Sequence, residues 1–220
     1  MLLQHMLRTS ILLALFAVIG TGLVAYTHDS TKAKIAYNEK QSLLKKLHVI
    51  ITPDEHDNEL FQDVISVTSE SLFGTKNSVT AYRARKNGAP VGVIIAPIVP
   101  DGYNGEIKLL VGIYYDGSLA GVRVLSHRET PGLGDRIEEK RSDWILAFRS
   151  RSLENPDAKD WRVKRDGGAI DQFTGATITP RAIVKAVKNC LLYYTDNKEL
   201  LFSPLIIPND EIVPTNRNEP

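Results

Sequence analysis

The chain has 220 residues, a formal charge of +1 and five histidines, with Cys190 as its one cysteine. A near-neutral balance supplies no basic face for phosphates, so no nucleic-acid partner is expected. One cysteine forbids an intrachain disulfide or a cysteine metal cluster, and the scattered histidines show no zinc-ligand spacing. Gly-rich nucleotide loops are missing too. There is no GxxxxGK, and Gly132-Leu133-Gly134 lacks the third glycine of a dinucleotide fingerprint.

The first element is apolar. TSILLALFAVIGTGLVAYT lies between Arg8 and His28 and carries no charge. At a helical rise of about 1.5 Å per residue it reaches roughly 28 Å, close to a hydrocarbon core. A cleaved signal would want small residues before the cut, which Leu23-Val24-Ala25 fits poorly, and no cysteine follows to make a lipoprotein. The expected layout is a short cytoplasmic N-terminus over residues 1–8, a retained anchor over 9–28 and a helical stalk over 29–47. Lysines beyond the anchor balance Arg8, so the positive-inside count alone does not orient it.

Residues 48–204 read as one α+β domain. NELFQDVISVTSESL has helical spacing. VTAYRARK and PVGVIIAP are β-branched runs joined by Asn87-Gly88, a strong hairpin signal, and EIKLLVGIYY and SLAGVRVL are joined in the same way by Asp116-Gly117. Four strands in two hairpins predict an antiparallel sheet. DRIEEKRSDWILAF predicts a helix packed on it, and WRVKRD a further strand. The last helix, PRAIVKAVKNCLLYY, carries an apolar stripe of Ile183, Val187, Cys190, Leu191 and Tyr194. Cys190 within that stripe reads as core rather than as a reactive thiol. The segment 205–220, rich in Pro, Asn and Glu, reads as a flexible tail.

Two stretches carry the chemistry. In DQFTGATITP, Thr179-Pro180 resembles a helix start, with Thr179 as the N-cap. Gly175-Ala176 leave the backbone open to close approach. Thr177 then sits just outside a helix N-terminus, where a bound or covalently attached phosphate is favoured. Taken alone, a turn with a capping threonine is the commoner explanation. In SHRETPGLGDRI, Pro131-Gly132 suits a type II turn, and Gly134 permits another close approach. Such a loop can offer backbone groups to a flat heteroaromatic ring, with His127 and Glu129 adding polar contacts. An ordinary connection capped by Glu129 and Thr130 fits equally well.

GYNGEIKLLVG, HRETPGLG and DQFTGATITPRAIVKAV together closely resemble the FMN-binding domain of the G subunit of the Rnf electron-transport complex. The related C subunit of the sodium-translocating NADH:quinone oxidoreductase is similar. The resemblance covers the anchor and nearly the whole soluble domain. It implies an antiparallel-sheet FMN-binding domain with packed helices behind one transmembrane helix. It also implies that a flavin transferase joins FMN, through its phosphate, to the hydroxyl of Thr177. Asp171, Thr174, Gly175 and Ala176 would frame the recognition signal, and Glu129, Thr130, Pro131, Gly132, Leu133 and Gly134 would line the flavin. The implied function is electron relay, as a non-autonomous subunit of an ion-translocating oxidoreductase, beside other membrane subunits. The domain would face the periplasm from a bacterial inner membrane. Two alternatives stay open: the quinone-reductase relative, and a membrane-anchored sensory or assembly domain that binds flavin only as a ligand.

Overall fold

A computed structural model describes residues 2–203, which form two units dividing between Val49 and Ile50; the tail expected over 205–220 lies outside the described residues. One helix, α1 (Leu2–Ile50), takes in both the apolar segment and the expected stalk without a break. It is long and apolar enough to cross a membrane, and Leu12, Leu13, Phe16 and Leu23 point outward along it.

Among its described residues the second unit is built on six strands: β1 (Val64–Val67), β2 (Val79–Lys86), β3 (Ala89–Ile95), β4 (Ile98–Gly102), β5 (Gly105–Tyr114) and β6 (Leu119–Ser126). Every pairing between them is antiparallel. The central strand β5 pairs with β6 along one edge. Along its other edge it pairs with β3 through Val111–Tyr114 and with β4 through Ile107 and Lys108. Pro97 separates β3 from β4 because it has no N–H for the ladder. Its carbonyl still accepts from the Leu109 N–H at 3.1 Å, so the bent pair β3–β4 follows β5 almost continuously.

The last long helix, α3 (Ile178–Phe202), lies across the face formed by Val93, Ile95, Leu109, Val111 and Ile113. Ile183, Val187, Cys190, Leu191 and Tyr194 are all buried there, as their stripe predicts. Burial pushes the Cys190 thiol well above its ordinary range, which leaves it an inert part of the core. The opposite face buries Leu110 and Ile94, and Gly112 leaves room for Ile50: a Cβ there would stand 2.1 Å from the isoleucine methyl.

The Asn87-Gly88 hairpin is a two-residue turn with φ of 51° and 77°, as its sequence predicts. The Asp116-Gly117 connection is longer: Tyr114 N–H donates to Ser118 O at 2.8 Å around a three-residue loop. Three expectations fail. NELFQDVISVTSESL is not a helix. Its run Val64-Ile65-Ser66-Val67, with three β-branched residues, pairs with β2 as β1, leaving only the short α2 (Glu70–Phe73). DRIEEKRSDWILAF breaks into two 3₁₀ segments, Gly134–Ile137 and Asp143–Phe148, because Glu138 turns extended between them. Ser142 fixes the break, donating to Arg136 O at 2.6 Å and accepting from the Trp144 N–H at 3.3 Å. WRVKRD is no strand: Val163 makes one isolated parallel bridge to Ile170 and a 3₁₀ turn follows.

Candidate functional site at Thr177

Phe173 anchors the DQFTGAT stretch. It is buried against Trp144, with ring centroids 5.1 Å apart, and the Trp144 indole N–H donates to Asp171 O at 2.7 Å. From that anchor the chain reverses through Phe173-Thr174-Gly175-Ala176, closed by the Ala176 N–H on Phe173 O at 3.3 Å. Gly175 has φ of 83°. The ETPGLG loop repeats the device: Leu133 N–H reaches Thr130 O at 3.2 Å with Gly132 at φ 78°, as Pro131-Gly132 predicts. A positive φ at the third position is what a type II turn requires, and glycine takes it without strain.

The two turns face each other across one cleft of about 280 Å³, lined by Tyr103, Glu129, Thr130, Leu133, Gly134 and the run Gly175–Thr179. Glu129, only 5 % exposed, joins the two stretches. One of its oxygens accepts from the Asn104 N–H at 3.1 Å, and the other from the Thr179 hydroxyl. Thr179 is therefore not the N-cap. The helix begins at Ile178, the cap position falls to Thr177, and Thr179 spends its hydroxyl on the contact to Glu129. The Thr177 side chain makes no capping bond. Its Oγ accepts from the Arg165 guanidinium at 3.2 Å instead.

Five expected residues stand off the cleft lining. The His127 ring lies 2.9 Å from Glu138 and accepts from the Glu129 N–H at 3.0 Å, so it braces the loop from behind. Pro131 and Gly132 form the exposed turn, where Gly132 N–H donates to Asp135 at 2.8 Å. Thr174 is exposed at the other turn, and Asp171 pairs with Lys164 at 2.6 Å on the surface. Glu129, Thr130, Leu133, Gly134, Gly175, Ala176 and Thr177 do come together. Sequence reasoning missed Tyr103 and Ile178 on the rim, Asn104 behind Glu129 and Arg165 beside Thr177. The Tyr-Asn-Gly turn before β5 is the signal that could have found Tyr103 and Asn104. Arg165 has none beyond its place in a charged turn.

Comparison with known proteins identifies the family. The FMN-binding domain family matches residues 102–192, which hold the whole cleft, and the RnfG N-terminal region family matches residues 1–50. The chain is 49% identical over 198 residues to the G subunit of the ion-translocating oxidoreductase complex of Shewanella baltica, covering 90% of this chain and 93% of the relative. It is 47% identical over 205 residues to the corresponding protein of Aliivibrio fischeri strain MJ11, covering 93% and 98%. Against that of Vibrio atlanticus it is 49% identical over 199 residues, covering 90% and 95%. With both of its regions matched and such likeness over nearly its full length, the chain belongs to the family of G subunits of the ion-translocating oxidoreductase complex.

Proposed function

We propose that this chain is the electron-relay subunit of an Rnf-type ion-translocating oxidoreductase, working between ferredoxin and NAD, and that it carries FMN as a phosphoester on Thr177. The observation that carries this reading is the meeting of the Thr177 hydroxyl and the ETPGLG loop at one cleft. The residues fit the group. Tyr103, Leu133 and Ile178 are exposed apolar side chains on the rim, suited to a flat ring, and the Thr177 Oγ beside a guanidinium suits a phosphate. Gly134 keeps the wall open: a Cβ there would come within 2.8 Å of Glu129.

The size of the cleft supports a tether. At about 280 Å³ it falls just below the roughly 300–1,000 Å³ range of small-molecule pockets, so burial alone would hold a flavin weakly. For attachment, the Thr177 Oγ bonds to phosphorus of a flavin nucleotide held as a phosphoanhydride. The anhydride P–O bond breaks, the departing phosphate keeps its electron pair, and the hydroxyl proton passes to a base on the flavin transferase. FMN, when bound, supplies the electron transfer, while the protein supplies position and field. Residues 9–28 anchor the chain in a bacterial inner membrane, 29–47 form a stalk, and 48–204 carry the flavin on the periplasmic side beside other membrane subunits. The test is the mass of the domain after co-expression with the transferase, read with flavin fluorescence in a denaturing gel. A covalent flavin adduct is expected; an unmodified mass under full induction of the transferase would refute the reading.

A further inference from the structure

The turn Lys164-Arg165-Asp166 sends each of its three side chains to a different part of the Thr177 stretch. Lys164 pairs with Asp171 at 2.6 Å, Arg165 donates to Thr177 Oγ at 3.2 Å, and Asp166 takes both arms of Arg181 at 2.6 and 2.8 Å. The turn is braced from within although its charges face water. Trp161, Val163 and Ile170 bury beneath it. Lys164 N–H closes on Ile170 O at 2.7 Å, Ala169 N–H on Asp160 O at 2.9 Å, and Gly168 N–H on Val163 O at 3.1 Å. Gly168 packs so tightly that a Cβ would stand 2.1 Å from Arg162 O. The Arg165 N–H itself donates to Gln172 at 3.2 Å, tying the turn to the stretch it serves. A rigid base fixes where a long, exposed arginine can point.

We propose that Arg165 is the phosphate-positioning residue of this chain: it orients the Thr177 hydroxyl as acceptor and then pairs with the phosphodiester charge formed there. This rests on Thr177 being the attachment site. A neutral hydroxyl does not need a guanidinium beside it, whereas an ester of phosphate brings a negative charge to the atom that Arg165 already contacts. A permanently charged donor suits that charge before and after attachment. Arg165 is exposed, so its replacement does not open the core.

The experiment uses the full chain, purified flavin transferase and its flavin nucleotide donor, with the transferase limiting. Initial labelling of the Thr177 peptide is followed by mass spectrometry, and Tm is measured for each variant. R165Q is expected to label about tenfold more slowly at unchanged Tm, R165K within about threefold of wild type, and R162Q, an exposed cation on the same segment, at the wild-type rate. R165Q labelling at the wild-type rate would overturn the proposal. So would equal slowing of R165Q and R162Q, which is mere attraction of the transferase to a basic surface, or R165K as slow as R165Q. A wild-type chain labelled elsewhere, or not at all, sinks the reading beneath the proposal instead.

Discussion

Thr177 stands between two walls built on opposite principles. The inner wall, Glu129 with Thr179 and Gly134, is buried, and each Glu129 oxygen has a partner. The outer wall, Lys164 to Asp166 with Asp171 and Arg181, lies beside Thr177 but off the cleft lining, and consists of charges that face water, most of them in pairs. A buried polar contact costs its full desolvation when one partner is lost, while an exposed pair costs little because water replaces it. The inner wall therefore sets the shape of the cleft and contributes to stability. The outer wall is free to serve the chemistry proposed at Thr177.

That contrast breaks most visibly at Glu129. Glu129→Ala strands the buried Thr179 hydroxyl, takes the acceptor from the Asn104 N–H and should cost about 3 kcal/mol in urea unfolding. A loss below about 1 kcal/mol would show that water enters the inner wall. Gly134→Val comes next, at about 2 kcal/mol, since its side chain must displace Glu129. Thr179→Val is smaller, about 1 kcal/mol, because Glu129 keeps its contact with Asn104. The same variant separates a tertiary tie from a helix cap: combined with Glu129→Ala it should add almost nothing, whereas a cap would add its full loss.

The outer wall should give the smallest effect, and one that depends on pH. The hydrogen bonds from Arg181 hold the Asp166 carboxyl below its ordinary value of 3.8. A depressed carboxylate stabilises the fold above its unfolded value, and that contribution is lost as pH falls through the folded value. Asp166→Asn should thus lower Tm by at most about 2 °C at neutral pH, and the difference should vanish in acid below the carboxylate range. A difference that grows on acidification would contradict the assignment.

These walls were unequally legible in the sequence. The hairpin turn Asn87-Gly88 and the stripe of α3 announce themselves because the local signal and the tertiary demand agree. β1 hides because Leu60, Phe61, Val64 and Ile65 mimic helical spacing, and only pairing to β2 shows which period applies. The two 3₁₀ segments hide for the same reason: Ile137, Trp144, Ile145 and Phe148 share a core without sharing a helix. At the site, the motif residues could be named, but not their division of labour. Thr179 looked like a cap until its partner, fifty positions earlier at Glu129, was in place. Arg165 is a surface charge in a turn, and nothing local distinguishes it from Arg162.

The central claim is that one of three neighbouring threonines carries the cofactor, on the outer wall, at no cost to the fold. Peptide mass mapping of the full chain after co-expression with the flavin transferase tests it directly, with Thr177→Ala alongside. The expected result is a phosphoflavin on Thr177, no adduct in Thr177→Ala, and a Tm for that variant within about 2 °C of the unlabelled wild type. A phosphoflavin on Thr174 or Thr179, or full labelling of Thr177→Ala, would contradict it.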